Sequence, residues 1–284
     1  MHPPRINKRL LILRKTIQLA AAVFCIAVLH AQAQAQRPAV VRNPGNTNAA
    51  APMPVQPDPA LWTLTFSDEF GGEPDLARWS LHDPWGFQRP RELQGYAPEA
   101  VQASGGQLHL TASHDEVRYD GREREFRSGI VSTFGTFSQI FGRFEIRCRI
   151  PAGAGLAPSL RLFPVPLATL PEIDVFAAAG NEPTKVRFAN YWGTEQTTRS
   201  FFESYRAPDL SAAFHTLAME WDKSKIVWFI DGKETMQSTE GIPQQAMFLL
   251  LDLAVGGPLA GLPNERTRFP ASFDIEYVRV YQRR

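Results

Sequence analysis

Residues 171–177 read Pro-Glu-Ile-Asp-Val-Phe-Ala. In a strand, alternate side chains point to opposite faces. Glu172 and Asp174 then share one face, and Ile173 and Val175 share the other. The apolar face suits the inside of a layered fold, and the acidic face suits a cleft or solvent. Two carboxyls at a cleft are the equipment for breaking a glycosidic bond: one attacks the sugar carbon and the other protonates the departing oxygen. A solvated strand face shows the same spacing, so the chemistry depends on what positions the pair.

The elements around it are strands. Trp62–Phe66 and Gln107–Ala112 alternate, as does Phe141–Ile150 through Phe144, Ile146, Cys148 and Ile150. Lys225–Ile230 and Phe273–Tyr281 are rich in Val, Ile and Tyr, and Gly105-Gly106, Asp120-Gly121 and Asp231-Gly232 mark turns. No long 3.6-residue period occurs after residue 60. Many short strands without helices predict an all-β fold: a two-sheet antiparallel sandwich of the jelly-roll kind. Cys148 reads as a small buried apolar residue. The chain shows no C-x-x-C, H-E-x-x-H or G-x-S-x-G motif and no phosphate-cradling glycine loop.

The N-terminus reads as a separate region. Arg14-Lys15 precedes an uncharged apolar run, Leu19–Leu29, and then Ala31-Gln32-Ala33-Gln34-Ala35. Basic, apolar and A-x-A in that order predict a secretory signal over 1–35, cleaved after Ala33 or Ala35. The apolar run is short for a membrane span, which needs roughly 20 residues. Residues 36–60 are rich in Pro, Ala, Asn and Gln and read as a linker, leaving 61–284 as one domain. The whole chain has 30 basic and 29 acidic residues. Five of the basic ones (Arg5, Lys8, Arg9, Arg14 and Lys15) fall in the signal, which leaves 25 against 29. A mildly acidic mature protein argues against a nucleic-acid partner. The expected location is the periplasm or the extracellular medium, with no membrane association after signal removal.

Short pieces spread over 62–282 carry a resemblance. They include Phe66-Ser67-Asp68-Glu69-Phe70, Glu92-Leu93-Gln94-Gly95-Tyr96, Ser128–Thr133, Phe141–Glu145 and Ile150–Leu156. Glu172-Ile173-Asp174, Phe214-His215-Thr216, Asp231-Gly232-Lys233, Leu253–Gly257 and Tyr277–Tyr281 follow in order. Together they resemble glycoside hydrolase family 16, which includes laminarinases, lichenases, agarases and carrageenases. The resemblance implies a concanavalin-like jelly roll with a concave glycan cleft, and a polysaccharide such as β-glucan as partner. The family motif is E-x-D-x-x-E, or E-x-D-x-E without a bulge. By that match Glu172 is the nucleophile of a retaining mechanism and Asp174 tunes it. The acid/base position holds Ala177 in the bulged register and Phe176 in the unbulged one. Neither moves a proton. General acid/base help is worth roughly 10²–10⁴ in rate, so hydrolysis is expected to be lost or weak.

Other cleft positions depart from the family as well. Ala157 and Arg161 stand where tryptophans are expected, Arg91 where Asn commonly precedes Glu92, and Tyr191 where His is common. Arg91 and Arg161 suit the carboxylates or sulfates of an acidic glycan. Alternatively, Arg161 pairs with Glu172 or Asp174. Trp85 and Trp192 are expected to line the cleft or to pack in the core, and Glu92 to contact substrate or hold a structural hydrogen bond. His215, Glu220 and Trp221 read as framework. The six histidines lack metal-ligand spacing, so no catalytic metal or cofactor is expected. Family members often hold a structural Ca²⁺ near the first and last strands, where Glu69 and Glu276 lie. Three readings follow: a glycan-binding protein with impaired catalysis, an active glycosidase or transglycosylase borrowing a carboxylate such as Glu195 or Glu203, and a sandwich unrelated to glycans.

Overall fold

The computed structural model describes residues 56–87 and 89–284. The signal expected over 1–35, and the linker as far as residue 55, lie outside them. In chain order the strands are β1 (Trp62–Asp68), β2 (Gln94–Tyr96), β3 (Val101–Ser104), β4 (Gln107–Ala112), β5 (Val117–Tyr119), β6 (Arg122–Arg124), β7 (Phe126–Ser128), β8 (Ile130–Ser132) and β9 (Gly142–Arg149). They continue with β10 (Leu156–Pro164), β11 (Glu172–Ala178), β12 (Lys185–Trp192), β13 (Arg199–Arg206), β14 (His215–Trp221), β15 (Ile226–Ile230), β16 (Lys233–Ser238), β17 (Met247–Val255) and β18 (Ala271–Arg283). Helix among the described residues amounts to a 3-10 turn at Pro98–Ala100 and one α turn at Gly257–Ala260.

Two sheets face each other. One has eight strands in the order β16-β15-β14-β9-β18-β4-β3, with β1 also on β18, and the other has six in the order β13-β12-β11-β10-β17-β8. Pairing within both is antiparallel. This is the two-sheet jelly-roll sandwich that the alternating runs predict. The three turn signals close the hairpins β3–β4, β5–β6 and β15–β16. Both turn residues have positive φ in each, at 61° and 75°, 51° and 72°, and 50° and 75°. Glycine adopts that backbone freely and Asp tolerates it.

Alternation decides what each sheet buries. Ile146, Leu217, Met219 and Val278 point inward from the larger sheet, and Leu160, Ile173, Val175 and Leu249 from the smaller one. Cys148 lies in this core, and burial pushes its thiol well above the ordinary value. A second apolar cluster lies outside the inter-sheet core and takes in Phe163, Phe248 and Leu250 of the smaller sheet, with Trp85, Phe134 and Leu167 packed on it.

The outer face of the larger sheet carries ion pairs. Arg279 donates to both carboxylate oxygens of Glu69 at 2.7 and 2.9 Å, and Arg147 donates to Glu276 at 2.6 Å. Calcium takes six to eight oxygen ligands. Both carboxylates proposed for it already serve arginines, so these residues do not fit a calcium site. Among the described residues, no group of three or more His, Cys, Asp or Glu gathers to hold a metal.

Candidate glycan cleft and its carboxyls

The cleft lies on the outer face of the six-stranded sheet, and β11 sets its centre. Glu172 pairs across to Tyr191 and Asp174 to Ala189, but the next pair is Ala177 with Arg187. One extra residue is accommodated between Asp174 and Ala177, which makes a β-bulge. The bulge sends both Val175 and Phe176 into the core, where Phe176 meets Phe273 edge-on at 5.9 Å. Trp228, from the other sheet, donates its indole N–H to the Asp174 carbonyl at 2.9 Å, where the bulge begins. Ala177 then returns to the outer face. Glu172, Asp174 and Ala177 line one cavity, so the bulged register holds and Phe176 is excluded from the site.

A charged network surrounds the pair. Arg161 and Ser159 face the cleft from β10, and Asp252 faces it from β17. Arg161 donates to Asp252 at 2.9 Å and to the Ser159 hydroxyl at 2.9 Å. Ser159 and Tyr96 also donate to Asp252. Glu172 is a looser partner of Arg161, at 3.7 Å. The sequence suggests Glu172 or Asp174 as the arginine's partner; the structure makes it Asp252 first. Asp252 stands alone in the apolar run Met247–Val255, and that isolation is the one sequence signal that singles it out. Burial opposes its charge, but Arg161, Arg89 and the two hydroxyl donors hold its pKa below the ordinary carboxylate value.

Glu172 has the opposite balance. Burial, and then the charge of Asp174, outweigh Arg161 and push it up to about 8. Asp174 is also raised by burial, against Arg187 and Arg161. A hydrogen bond joins the two carboxyls and favours the proton on Glu172 and the charge on Asp174.

Other predicted residues separate. Tyr191 and Glu92 line the same cavity as Glu172. Glu92 accepts from Gln94 at 2.7 Å, and burial raises its pKa. Trp85 lines an adjoining cavity of about 460 Å³ with Arg161, Phe163, Glu172 and Glu195, and its ring meets Phe163 edge-on at 4.7 Å. Trp192 goes elsewhere. Strand alternation turns it away from Tyr191, and its ring packs so closely on Gly241 that a Cβ there would lie 1.9 Å from it. Arg91 is exposed at φ 65° and lines neither cavity. Arg89, two residues earlier, lines both. It sits over Trp85 at 5.3 Å and 3.7 Å from Asp83. Glu203 pairs with Phe188, whose side chain is in the core, so it shares that inward-facing side rather than the cleft side. Alternation along β12 also brings Arg187 to the cleft, on the same face as Ala189 and Tyr191.

A jelly roll with two buried carboxyls on one open sheet is a scaffold for proteins that act on glycans. The chain belongs to glycoside hydrolase family 16: the family model "Glycosyl hydrolases family 16" matches residues 95–278. A "Beta-glucanase" of Rhodothermus marinus is 32% identical over 256 residues, covering 78% of this chain and 85% of the relative. Among solved structures, the laminarinase catalytic domain of Thermotoga maritima superposes with a TM-score of 0.70 at 28% identity, covering 78% of this chain and 98% of that one. The laminarinase of Rhodothermus marinus gives 0.67 at 30% identity, with the same coverages.

Proposed function

We propose that this chain is an exported polysaccharide-binding protein on a β-glucanase scaffold, with hydrolysis of O-glycosyl bonds lost or strongly reduced. The single observation that carries the reading is Ala177 on the cleft face, at the position where the family motif has its proton-transferring glutamate. Retaining hydrolysis needs an acid for the leaving oxygen and then a base for water. Burial and the charge of Asp174 raise the pKa of Glu172 and favour its protonated form, which weakens it as a nucleophile. The cleft remains available to a ligand, because two adjoining cavities meet at Glu172. The names of the relatives favour β-1,3- or mixed-linkage glucans as the neutral ligand class. The basic, apolar and A-x-A order of residues 1–35 supports export to the periplasm or the extracellular medium.

The test pairs laminarin and lichenan binding with turnover of the same glycans. The reading expects binding that cleft substitutions such as Tyr191→Ala weaken, with no release of reducing sugar. Turnover matching an active laminarinase overturns it.

A second reading, an active hydrolase or transglycosylase, draws on Glu195, which lines the Trp85 cavity together with Glu172. It requires that carboxyl to serve the leaving oxygen. Loss of all residual turnover in Glu195→Gln, with glycan binding kept, is the result that favours it.

A further inference from the structure

We propose that the cleft contains an anion-binding subsite beside Ala177, built on Arg187, which takes a sulfate or carboxylate substituent on one sugar of the bound polysaccharide. The inference rests on the glycan-binding reading above and names the chemistry of the ligand.

Ala177 and Arg187 are direct partners on adjacent strands and face the cleft together. The family's glutamate at 177 would place a carboxylate against any anionic substituent at this spot. Alanine removes that charge and frees its volume, leaving a guanidinium at the edge of the space. The loss of the acid and the presence of the arginine thus act in one direction.

Arg187 is also short of partners. Among the described residues its one ion pair is to Asp174 at 3.9 Å, and its Nε–H has no acceptor. Arg161 differs: it is committed to Asp252, Ser159 and Glu172. The 3.9 Å separation is too long for a hydrogen bond and the side chain is partly exposed, so its guanidinium keeps donors for an incoming acceptor. The planar fork of a guanidinium matches carboxylate and sulfate oxygens with two parallel hydrogen bonds, whereas a neutral sugar hydroxyl satisfies one. Tyr191, on the same strand face, and Thr198 and Ser200 line the same cavity and offer neutral hydroxyl donors. These hydroxyls suit a hydroxyl of the same sugar. The arrangement therefore takes an anionic group and a sugar hydroxyl side by side.

Calorimetry with the full-length mature protein tests this. Laminarin serves as the neutral probe, polygalacturonate as the carboxylate probe and a sulfated galactan as the sulfate probe. The expected result is at least about tenfold tighter binding of one anionic probe than of laminarin, the low end for a charge-assisted hydrogen bond. Arg187→Gln removes that preference, weakening the anionic probe at least about tenfold more than laminarin, while Arg187→Lys keeps part of it. Thermal melts confirm that each variant is folded, and Arg187→Lys supplies the readout if Arg187→Gln is not. Equal affinity for neutral and anionic probes overturns the inference and leaves the glycan-binding reading standing. An anionic preference that survives Arg187→Gln also overturns it, since the charge then acts from elsewhere. Failure to bind any glycan removes both.

Discussion

Glu172 keeps its proton to about pH 8 because burial and the charge of Asp174 outweigh the pull of Arg161. Its ordinary value is 4.5. Between those values the native state holds a proton that the unfolded chain has released. The unfolded state binds fewer protons there, so stability falls as pH rises through this window. Glu172→Gln removes the titration and still offers Asp174 a donor. The variant is expected to melt above the wild type at pH 8 and to converge with it near pH 4.5. A constant difference across that range contradicts the assignment. At this scale the sequence was partly legible. The spacing of Glu172 and Asp174 and the family match placed both on one face with Ala177 beside them. Arg91 is the expected cleft residue, but Arg89 lines the cavities instead, because an irregular loop has no period to say which side chain turns inward. Asp252 and Arg187 lie far from residues 171–177 in the chain. Only the pairing of β10 with β17, and of β11 with β12, brings them to the carboxyls.

The bulge in β11 is the element that decides which residue reaches the cleft. Strict alternation would put Phe176 beside Glu172 and Asp174. With one residue inserted, Phe176 is buried and Ala177 takes that face. Phe176→Ala therefore opens a core cavity and is expected to cost about 3–5 kcal/mol in denaturant unfolding. Ala177→Ser, at the cleft, is expected to cost under about 0.5 kcal/mol. Similar small losses for both would contradict the bulged register. The strands and their hairpins were readable because apolar alternation and paired positive-φ turn residues are local signals. The bulge was not, because it depends on register against two neighbouring strands. The same limit explains Trp192: alternation from Tyr191 predicts opposite faces, but not which one faces the cleft.

At the scale of the whole molecule, the outer face of the larger sheet carries arginine–carboxylate pairs in the region where family members often hold a structural calcium. Chelation with EDTA is expected to leave the unfolding midpoint unchanged. A fall reversed by added Ca²⁺ would contradict the roles given to Arg279 and Arg147. The sandwich itself was legible from many short alternating strands without helices, and the order of short motifs along the chain pointed to the family. The formal charge of +1 concealed the local balance at the cleft, where Ala177 is uncharged and Arg89, Arg161 and Arg187 line the cavity.

The proposed function has Glu172 in the nucleophile's place with alanine where the acid/base partner is expected. The most direct measurement is turnover of an activated aryl β-glucoside by the wild type, with and without azide. An activated leaving group needs no acid, and azide attacks a glycosyl-enzyme without needing a base. The account predicts glycosyl azide formation that requires azide, rises as pH passes through about 8 where Glu172 ionises, and disappears in Glu172→Gln. Azide-independent hydrolysis of the aryl glucoside and of laminarin at the rate of an active laminarinase would contradict it.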